Sequence, residues 1–317
     1  MPSFEELLKV IDPARPLVIQ PHDFPDPDAI ACAFALQYLL QTQHYNSQIV
    51  YFGEIQRQAL VKMINDLGIT VLHLEQVELS PLSQLIIVDG CKGNKNITDL
   101  GGVEIAVIDH HKSESPENVP FVDIRPSYGS CSSIIYEYFL EFNIPLPPAV
   151  ANALLIGLEV DTNLLTRNVS DADIFAFALL HATADQEYVN RLLRNNIQQA
   201  DLVFFIEAMS KARFSARMAF YYFPGGCAQN LLGIIANFLL SIQEVNFVVL
   251  AAKNTDRVIF SVRSEEPSWP ADSIIRNLLR DLGAGGGHKD MAGGIVSDPD
   301  LFDADIFFSE LEKLLHS

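Results

Sequence analysis

Two kinds of hydrophobic pattern alternate along the first half of the chain. Short, nearly unbroken apolar runs occupy Pro16–Gln20, Ser47–Phe52, Thr70–Leu74, Gln84–Val88 and Glu104–Ile108. Runs of this length without polar alternation predict strands buried on both faces. Between them, Ser3–Ile11, Ala29–Leu40 and Arg57–Leu67 carry helical spacing. Ser3 and Glu6 are spaced as a capping box, and Gly68 is placed to stop the third helix. Strand, helix and strand in alternation predict a doubly wound, mostly parallel α/β sheet. After Ile108 comes a loop rich in Pro, Ser and Glu, and from Ser130 the pattern turns helical: Ser132–Phe142, Pro148–Val160, Asp171–Leu180 and Asp185–Asn195. The aromatic cluster Tyr136, Tyr138 and Phe139 reads as core packing.

Residues 196–217 read as a connecting helix, after which the α/β pattern restarts. Ala219–Phe223 predicts a strand, Ala228–Leu240 a helix, Phe247–Ala252 and Val258–Val262 paired strands, and Ser273–Leu282 a helix. A glycine-rich loop, Gly283–His288, and a closing helix, Asp303–Leu315, complete it. The expected organisation is a first domain over 1–195, a linker helix over 196–217 and a smaller α/β domain over 218–317.

Four apolar segments end in acids or histidines. Val107-Ile108 runs into Asp109-His110-His111, Val18-Ile19-Gln20 into His22, Asp26 and Asp28, Leu85–Val88 into Asp89, and Leu154–Val160 into Asp161. In open parallel sheets, ligands bind outside the carboxyl ends of strands. A lone Asp26 or Asp28 would read as a helix N-cap, and paired histidines alone as a solvated loop. Together they point to metal. Pro25 and Pro27 stiffen the first loop and reduce the entropy lost in fixing its carboxylates. Imidazole and carboxylate donors suit Mn2+, Co2+ or Zn2+. One ion needs three or four protein ligands, so this many candidates predict two. Two ions about 3.5–4 Å apart clamp a phosphoryl group and activate a water for in-line attack.

The formal charge of -19 and pI near 4.7 exclude a broad basic face for long nucleic acid. A small polyanionic substrate stays compatible when metal ions and local cations neutralise it. Cys32, Cys91, Cys131 and Cys227 are widely spaced without a CxxC pair, as expected of reduced thiols. The acidic N-terminus lacks signal-peptide character, and no apolar run reaches membrane-span length, so a cytoplasmic protein with no membrane partner is expected.

The set His22-x3-Asp26-x-Asp28, Asp89, Asp109-His110-His111 and Asp161 resembles the DHH phosphoesterases. Gly285-Gly286-Gly287-His288, followed by Lys289–Gly294, is similar to the signature of their associated C-terminal domain. The resemblance runs over roughly residues 16 to 296. It implies two divalent ions, commonly Mn2+, with Mg2+ or Co2+ as substitutes. His22, Asp26 and Asp89 would hold one, and Asp28, Asp89, His110 and Asp161 the other, with Asp89 shared. His111 would face the substrate phosphate, and Asp109 would orient a histidine, a role that metal-bound imidazole also favours. Arg263 matches a phosphate-pairing position, with Ser261 and Ser264 beside it. Gly285, Gly286, Gly287 and His288 would bind substrate, and the active site would be a cleft between the two domains.

Gly129–Ser133 reads as a further phosphate-site candidate or as a helix cap, and Lys92, Lys95 and Arg125 as solvated cations. Two features depart from the family pattern: Pro27 between the first-loop acids, and Tyr221–Cys227. The two-domain size is similar to the branch that degrades very short RNAs and dephosphorylates 3′-phosphoadenosine 5′-phosphate. The expected partner is therefore a short RNA or nucleotide, with a homodimer compatible. Hydrolysis of linear cyclic-dinucleotide products, hydrolysis of pyrophosphate or polyphosphate, and an inactive nucleotide-binding regulator are the competing readings.

Overall fold

The computed structural model describes residues 2–55, 58–92, 96–112, 116–194 and 197–316. Arg57, Lys95, Asn195 and Asn196, named above, lie outside them. The chain divides into two compact units, Met1–Asn196 and Ile197–Ser317.

The first unit is built on strands β1 (Leu17–Pro21), β2 (Ser47–Tyr51), β3 (Val71–His73), β4 (Gln84–Val88), β5 (Val103–Asp109) and β6 (Phe121–Ile124). They form one sheet in the order β3-β2-β1-β4-β5-β6, and every pairing is parallel. All five residues of β1 and of β4 are buried, which explains why both read as unbroken apolar runs. Because β1 lies between β2 and β4, the strand order reverses there, which is the switch point where such sheets bind ligands. Register aligns the strand ends, with Pro21 beside Val88 and Val88 beside Ile108.

Helices α1 (Phe4–Val10), α2 (Pro27–Thr42), α3 (Gln58–Leu67), α4 (Cys131–Glu141), α5 (Pro148–Asp161), α6 (Asp171–Thr183) and α7 (Gln186–Arg194) complete this unit. Ser3 and Glu6 close the capping box of α1. α2 packs on α5, and both helices bury small residues, among them Ala31, Ala35, Ala151 and Ala153. Tyr138 and Phe139 lie in the main core, where Phe4 stacks on Tyr138 and Tyr38 on Phe139.

The loop expected between Ile108 and Ser130 contains β6. Its inward face carries a charged residue, Asp123, so the apolar alternation that marks a strand is missing.

The second unit holds α8 (Leu202–Lys211), β7 (Arg213–Ser215), β8 (Met218–Phe223), α9 (Gln229–Leu240), β9 (Phe247–Asn254), β10 (Arg257–Ser264), α10 (Ala271–Leu278), β11 (Ala284–Gly287), β12 (Met291–Val296) and α11 (Ala304–His316). Its sheet runs β11-β12-β10-β9-β8-β7, with β8 and β9 parallel and the other pairs antiparallel. Two sequence expectations change here. The connecting helix of 196–217 is a short turn, then α8, then an edge strand that returns through Ala216, at φ 49°, to pair with β8. The glycine-rich loop is an edge strand, β11, laddered to β12 from Ala284–Ile295 to Gly287–Ala292. Glycine carries no strand propensity, so the ladder left no signal in the residue types. Close approach requires it at Gly287, whose φ is 140° and where a Cβ would lie 2.5 Å from the Met291 carbonyl oxygen and 2.7 Å from Ala292 Cα. Among the described residues, no helix is long and apolar enough to cross a membrane.

Candidate metal centre

The carboxyl edge of the first sheet gathers the polar strand tips. Following β1, the chain makes a tight loop in which Asp26 caps α2, its Oδ1 accepting from the N–H groups of Asp28 and Ala29 at 2.9 and 3.1 Å. Pro27 occupies the first helical turn, where its missing N–H costs nothing. The residue that reads as an ordinary N-cap is therefore one, and it also belongs to the cluster. β4 ends in Asp89 at φ 56°, a left-handed conformation that turns the carboxylate out of the strand direction. Asp109, the last residue of β5, is fully buried.

Asp89 is where these groups meet. Its Oδ2 lies 3.7 Å from His22 Nε2, and its Oδ1 lies 3.4 Å from His110 Nε2 and 3.8 Å from His111 Nδ1. His22 Nε2 is also 3.8 Å from Asp26, and His110 Nε2 is 3.0 Å from Asp161 at the end of α5. Ligand atoms fall into three overlapping groups, each within 4.8 Å: His22, Asp26 and Asp89; Asp28, Asp89, His110 and Asp161; and Asp89, His110 and His111.

The donor set fits a divalent cation. Both Asp89 carboxylate oxygens and His110 Nε2 are buried without a hydrogen bond. Unpaired buried polar atoms are costly, and a cation would satisfy all three. Burial, followed by the nearby charges of Asp89 and Asp161, pushes the Asp28 carboxyl well above its ordinary range, and burial with Asp26 raises Asp161. Burial alone would lower His110, but Asp161 and Asp89 raise it well above the ordinary imidazole value. Four carboxylates share one site, and a bound dication inverts that arrangement by favouring every ionised form.

The surrounding contacts fix the donors. His110 Nδ1 faces the Tyr128 carbonyl at 3.2 Å, and His22 Nδ1 faces the Asp23 carbonyl at 2.8 Å, so each ring directs Nε2 inward. Asp109 Oδ1 accepts from the backbone N–H of His111 at 3.0 Å and lies 2.8 Å from its Nδ1. Burial would raise Asp109 and lower His111, yet their mutual hydrogen bond wins, holding Asp109 low and His111 high.

The Gly129–Ser133 turn is a cradle for a protein carboxylate. Cys131 N and Ser132 N donate to Asp28 at 2.8 and 3.1 Å, and the Ser132 hydroxyl donates to the same group. Gly129 N donates to Asp173 at 2.8 Å, and Ser133 N to Ser130 at 3.3 Å. These donors are committed internally, so the phosphate-site reading of the turn is corrected to a helix N-terminus that binds Asp28. Arg125, read as solvated, is buried. It grips Asp123 through Nε and Nη2 at 2.7 Å each, and its Nη1 donates to Tyr128 Oη at 3.2 Å and to Glu137. Tyr138 donates to Asp123 at 2.6 Å. Lys92 pairs with Asp99 and Glu104 at 3.2 and 3.3 Å.

Gly157 went unnoticed in the sequence, although a lone glycine inside an apolar helix is a signal of close approach. A Cβ there would lie 2.6 Å from Asp28 Oδ1.

In the second unit, Arg263 is nearly buried on β10. Its Nε donates to Asn237 Oδ1 at 2.6 Å, and Nη1 donates to Ser261 Oγ and the Val262 carbonyl at 3.1 and 2.9 Å. Gly285, Gly286 and Gly287 lie on β11, and His288 begins the turn into β12, its N–H donating to the Met291 carbonyl at 2.7 Å.

A parallel sheet carrying histidine and aspartate donors at its switch point, joined to a mixed-sheet unit, defines a two-domain protein with a cluster of possible metal ligands. The DHH family N-terminal domain matches residues 16–158 and the DHHA1 domain residues 215–316, so the chain belongs to the DHH family. An uncharacterised protein of Methanocaldococcus jannaschii is 29% identical over 89% of this chain and 58% of its own length. A Streptococcus pyogenes protein named a probable manganese-dependent inorganic pyrophosphatase is 34% identical over 47% of this chain and 50% of its own. The chain thus spans about half the length of these curated relatives. Among solved structures, an exopolyphosphatase-related protein from Bacteroides fragilis shares the fold with TM-score 0.76, at 19% identity over 98% of this chain and 95% of that one. A putative family II inorganic pyrophosphatase of Methanococcus jannaschii gives TM-score 0.52 at 18% identity, over 87% of this chain and 93% of that one.

Proposed function

We propose that the protein is a divalent-metal-dependent phosphohydrolase acting on phosphodiester or phosphomonoester bonds of short nucleotides, either oligoribonucleotides of a few residues or 3′-phosphoadenosine 5′-phosphate. The observation that carries this reading is Asp89, whose two buried, unpaired oxygens each approach a different histidine. In this reading His22, Asp26 and Asp89 hold one ion, Asp28, Asp89, His110 and Asp161 a second, and Mn2+ is the preferred metal. Bound divalent ions polarise the phosphoryl oxygens and lower the pKa of water at the reacting phosphorus.

The chain's own residues supply the rest. Asp109 holds His111 at Nδ1 and raises its pKa, which favours the imidazolium form that would pair with a substrate phosphate. Asn237 and Ser261 fix the Arg263 guanidinium in advance, which limits the entropy lost when it pairs with a substrate phosphate. Gly285, Gly286 and Gly287 add substrate contacts from an edge strand, and His288 from the turn that follows it.

The streptococcal relative's name favours a second reading, hydrolysis of inorganic pyrophosphate or polyphosphate. One panel separates the two: Mn2+-supplemented protein with a 5′-phosphorylated RNA dinucleotide, a five-nucleotide RNA, 3′-phosphoadenosine 5′-phosphate, pyrophosphate and tripolyphosphate. Release of mononucleotide or AMP is expected. Turnover confined to the inorganic substrates moves the assignment to the second reading, and silence on all five, with metal bound, overturns both.

A further inference from the structure

Phe24 stands between two members of the metal centre, His22 and Asp26, and its backbone is left-handed at φ 54°. A bulky aromatic residue rarely adopts that conformation, because its Cβ crowds the neighbouring carbonyl. Four hydrogen bonds hold it there. Phe24 N donates to the Phe52 carbonyl at 3.0 Å and Asp23 N to the Asn96 carbonyl at 2.8 Å, while the Asp23 carboxylate accepts from Thr98 N and Oγ1 at 3.0 and 2.8 Å. The strained conformation does not bury the ring, which remains 55% exposed. Packing therefore leaves the conformation unexplained, and strain of this kind collects at ligand sites.

The ring rests on Gly53, where a Cβ would lie 2.8 Å from Phe24 Cδ1. Gly53 is also a wall of a cavity of about 550 Å³ at the carboxyl ends of β2 and β3, lined in addition by Tyr51, Glu54, Ile64, Asn65 and His73. Tyr51 and His73 meet edge to face at 5.3 Å, and Asn65 and Glu54 offer an amide and a carboxylate. An aromatic face beside the metal donors thus continues into a cavity with apolar walls and a few polar groups. That combination suits a flat heterocycle attached to a phosphate.

We infer that Phe24 is a stacking platform for the base of a nucleotide substrate, with the cavity next to Gly53 receiving the base's edge. The inference rests on the phosphohydrolase reading above and names what selects nucleotides over inorganic phosphates. Calorimetric titration of Mn2+-supplemented protein with AMP and with ribose 5-phosphate tests it without turnover. Wild type is expected to bind AMP more tightly than ribose 5-phosphate. Phe24→Leu, which keeps apolar bulk but removes the π-face, is expected to erode that preference roughly tenfold. Phe24→Trp retains it, and AMP quenches its added indole fluorescence. Metal content should be the same in all three proteins. Equal affinity of wild type for the two probes, or equal weakening of both by Phe24→Leu, overturns the inference. A silent substrate panel with the AMP preference intact would instead strike the phosphohydrolase reading alone.

Discussion

Gly157 on α5 leaves the space that Asp28 on α2 fills: a Cβ at Gly157 would lie 2.6 Å from both Asp28 Oδ1 and Ser132 Oγ, and 2.9 Å from Asp28 Cα. Three helices therefore converge on one buried carboxylate, with the amide end of α4 donating to it and α5 kept bare beside it. Gly157→Ala should push Asp28 from this cradle. Overpacking a close contact costs about 1–3 kcal/mol, so urea denaturation of the metal-free variant should show a loss of that order. Elemental analysis should find less bound metal than in wild type. Unchanged stability and metal content would show that Asp28 can move without consequence.

Asp89 belongs to all three donor groups, and its left-handed backbone dictates how it should be probed. Asparagine tolerates that conformation better than alanine, so Asp89→Asn removes the charge while sparing the turn. Wild type should melt at higher temperature when Mn2+ is added, because a ligand of the folded state stabilises it in proportion to ln(1 + [L]/Kd). Asp89→Asn should lose most of that rise, because the one carboxylate common to all three donor groups is gone. Thermal melts with and without MnCl2 decide it; a full Mn2+ response in the variant would remove Asp89 from the centre.

The elements that bring the site together were legible because both faces of β1, β4 and β5 are covered, so unbroken apolar runs end where the sheet ends. Other features were hidden for identifiable reasons. β6 places Asp123 inward because Arg125 and Tyr138 pair with it, a tertiary exchange that residue types alone do not reveal. β11 consists almost entirely of glycine and is a strand only by virtue of its partner β12. The Gly129–Ser133 turn reads as a phosphate site or a helix cap, and its amides are taken by the Asp28 carboxyl group, 103 residues away from Cys131 in sequence. Phe24 carries no signal in the sequence, because backbone handedness is not written in a phenylalanine.

Metal uptake should release protons. In the metal-free protein burial pulls His22 down, but Asp26 and then Asp89 outweigh it and push its pKa up to about 10. An unfolded histidine titrates near 6.5. The folded value is the higher one, so this protonated contact contributes its full stability below about pH 6.5 and loses it as pH rises through about 10. A metal ligand must be the neutral imidazole, so between those limits binding expels the proton and apparent affinity climbs with pH, by up to tenfold per unit for each proton released. Titrating Mn2+ by calorimetry in two buffers of different ionisation enthalpy counts the protons. Identical heats in both buffers would contradict the protonated apo state.

Arg125 and Asp123 form a buried, two-pronged ion pair that reaches the metal centre through Tyr128. Arg125 donates to Tyr128 Oη at 3.2 Å, Tyr128 Oη donates to Glu137 at 2.8 Å, and the Tyr128 carbonyl faces His110 Nδ1 at 3.2 Å. Removing one partner of a buried pair strands the other charge, at a cost of about 3–5 kcal/mol. Arg125→Met should therefore destabilise the first unit by that order, whereas the double variant Arg125→Met with Asp123→Leu should recover part of the loss, because the buried Asp123 charge is gone and only the partly exposed Glu137 lacks its partner. Denaturant midpoints of the two singles and the double give the coupling directly. Metal affinity adds a second readout. If the network also orients His110, the double variant should bind Mn2+ more weakly than wild type even where its stability has recovered. Additive losses with unchanged metal affinity would confine Arg125 to a local role in β6.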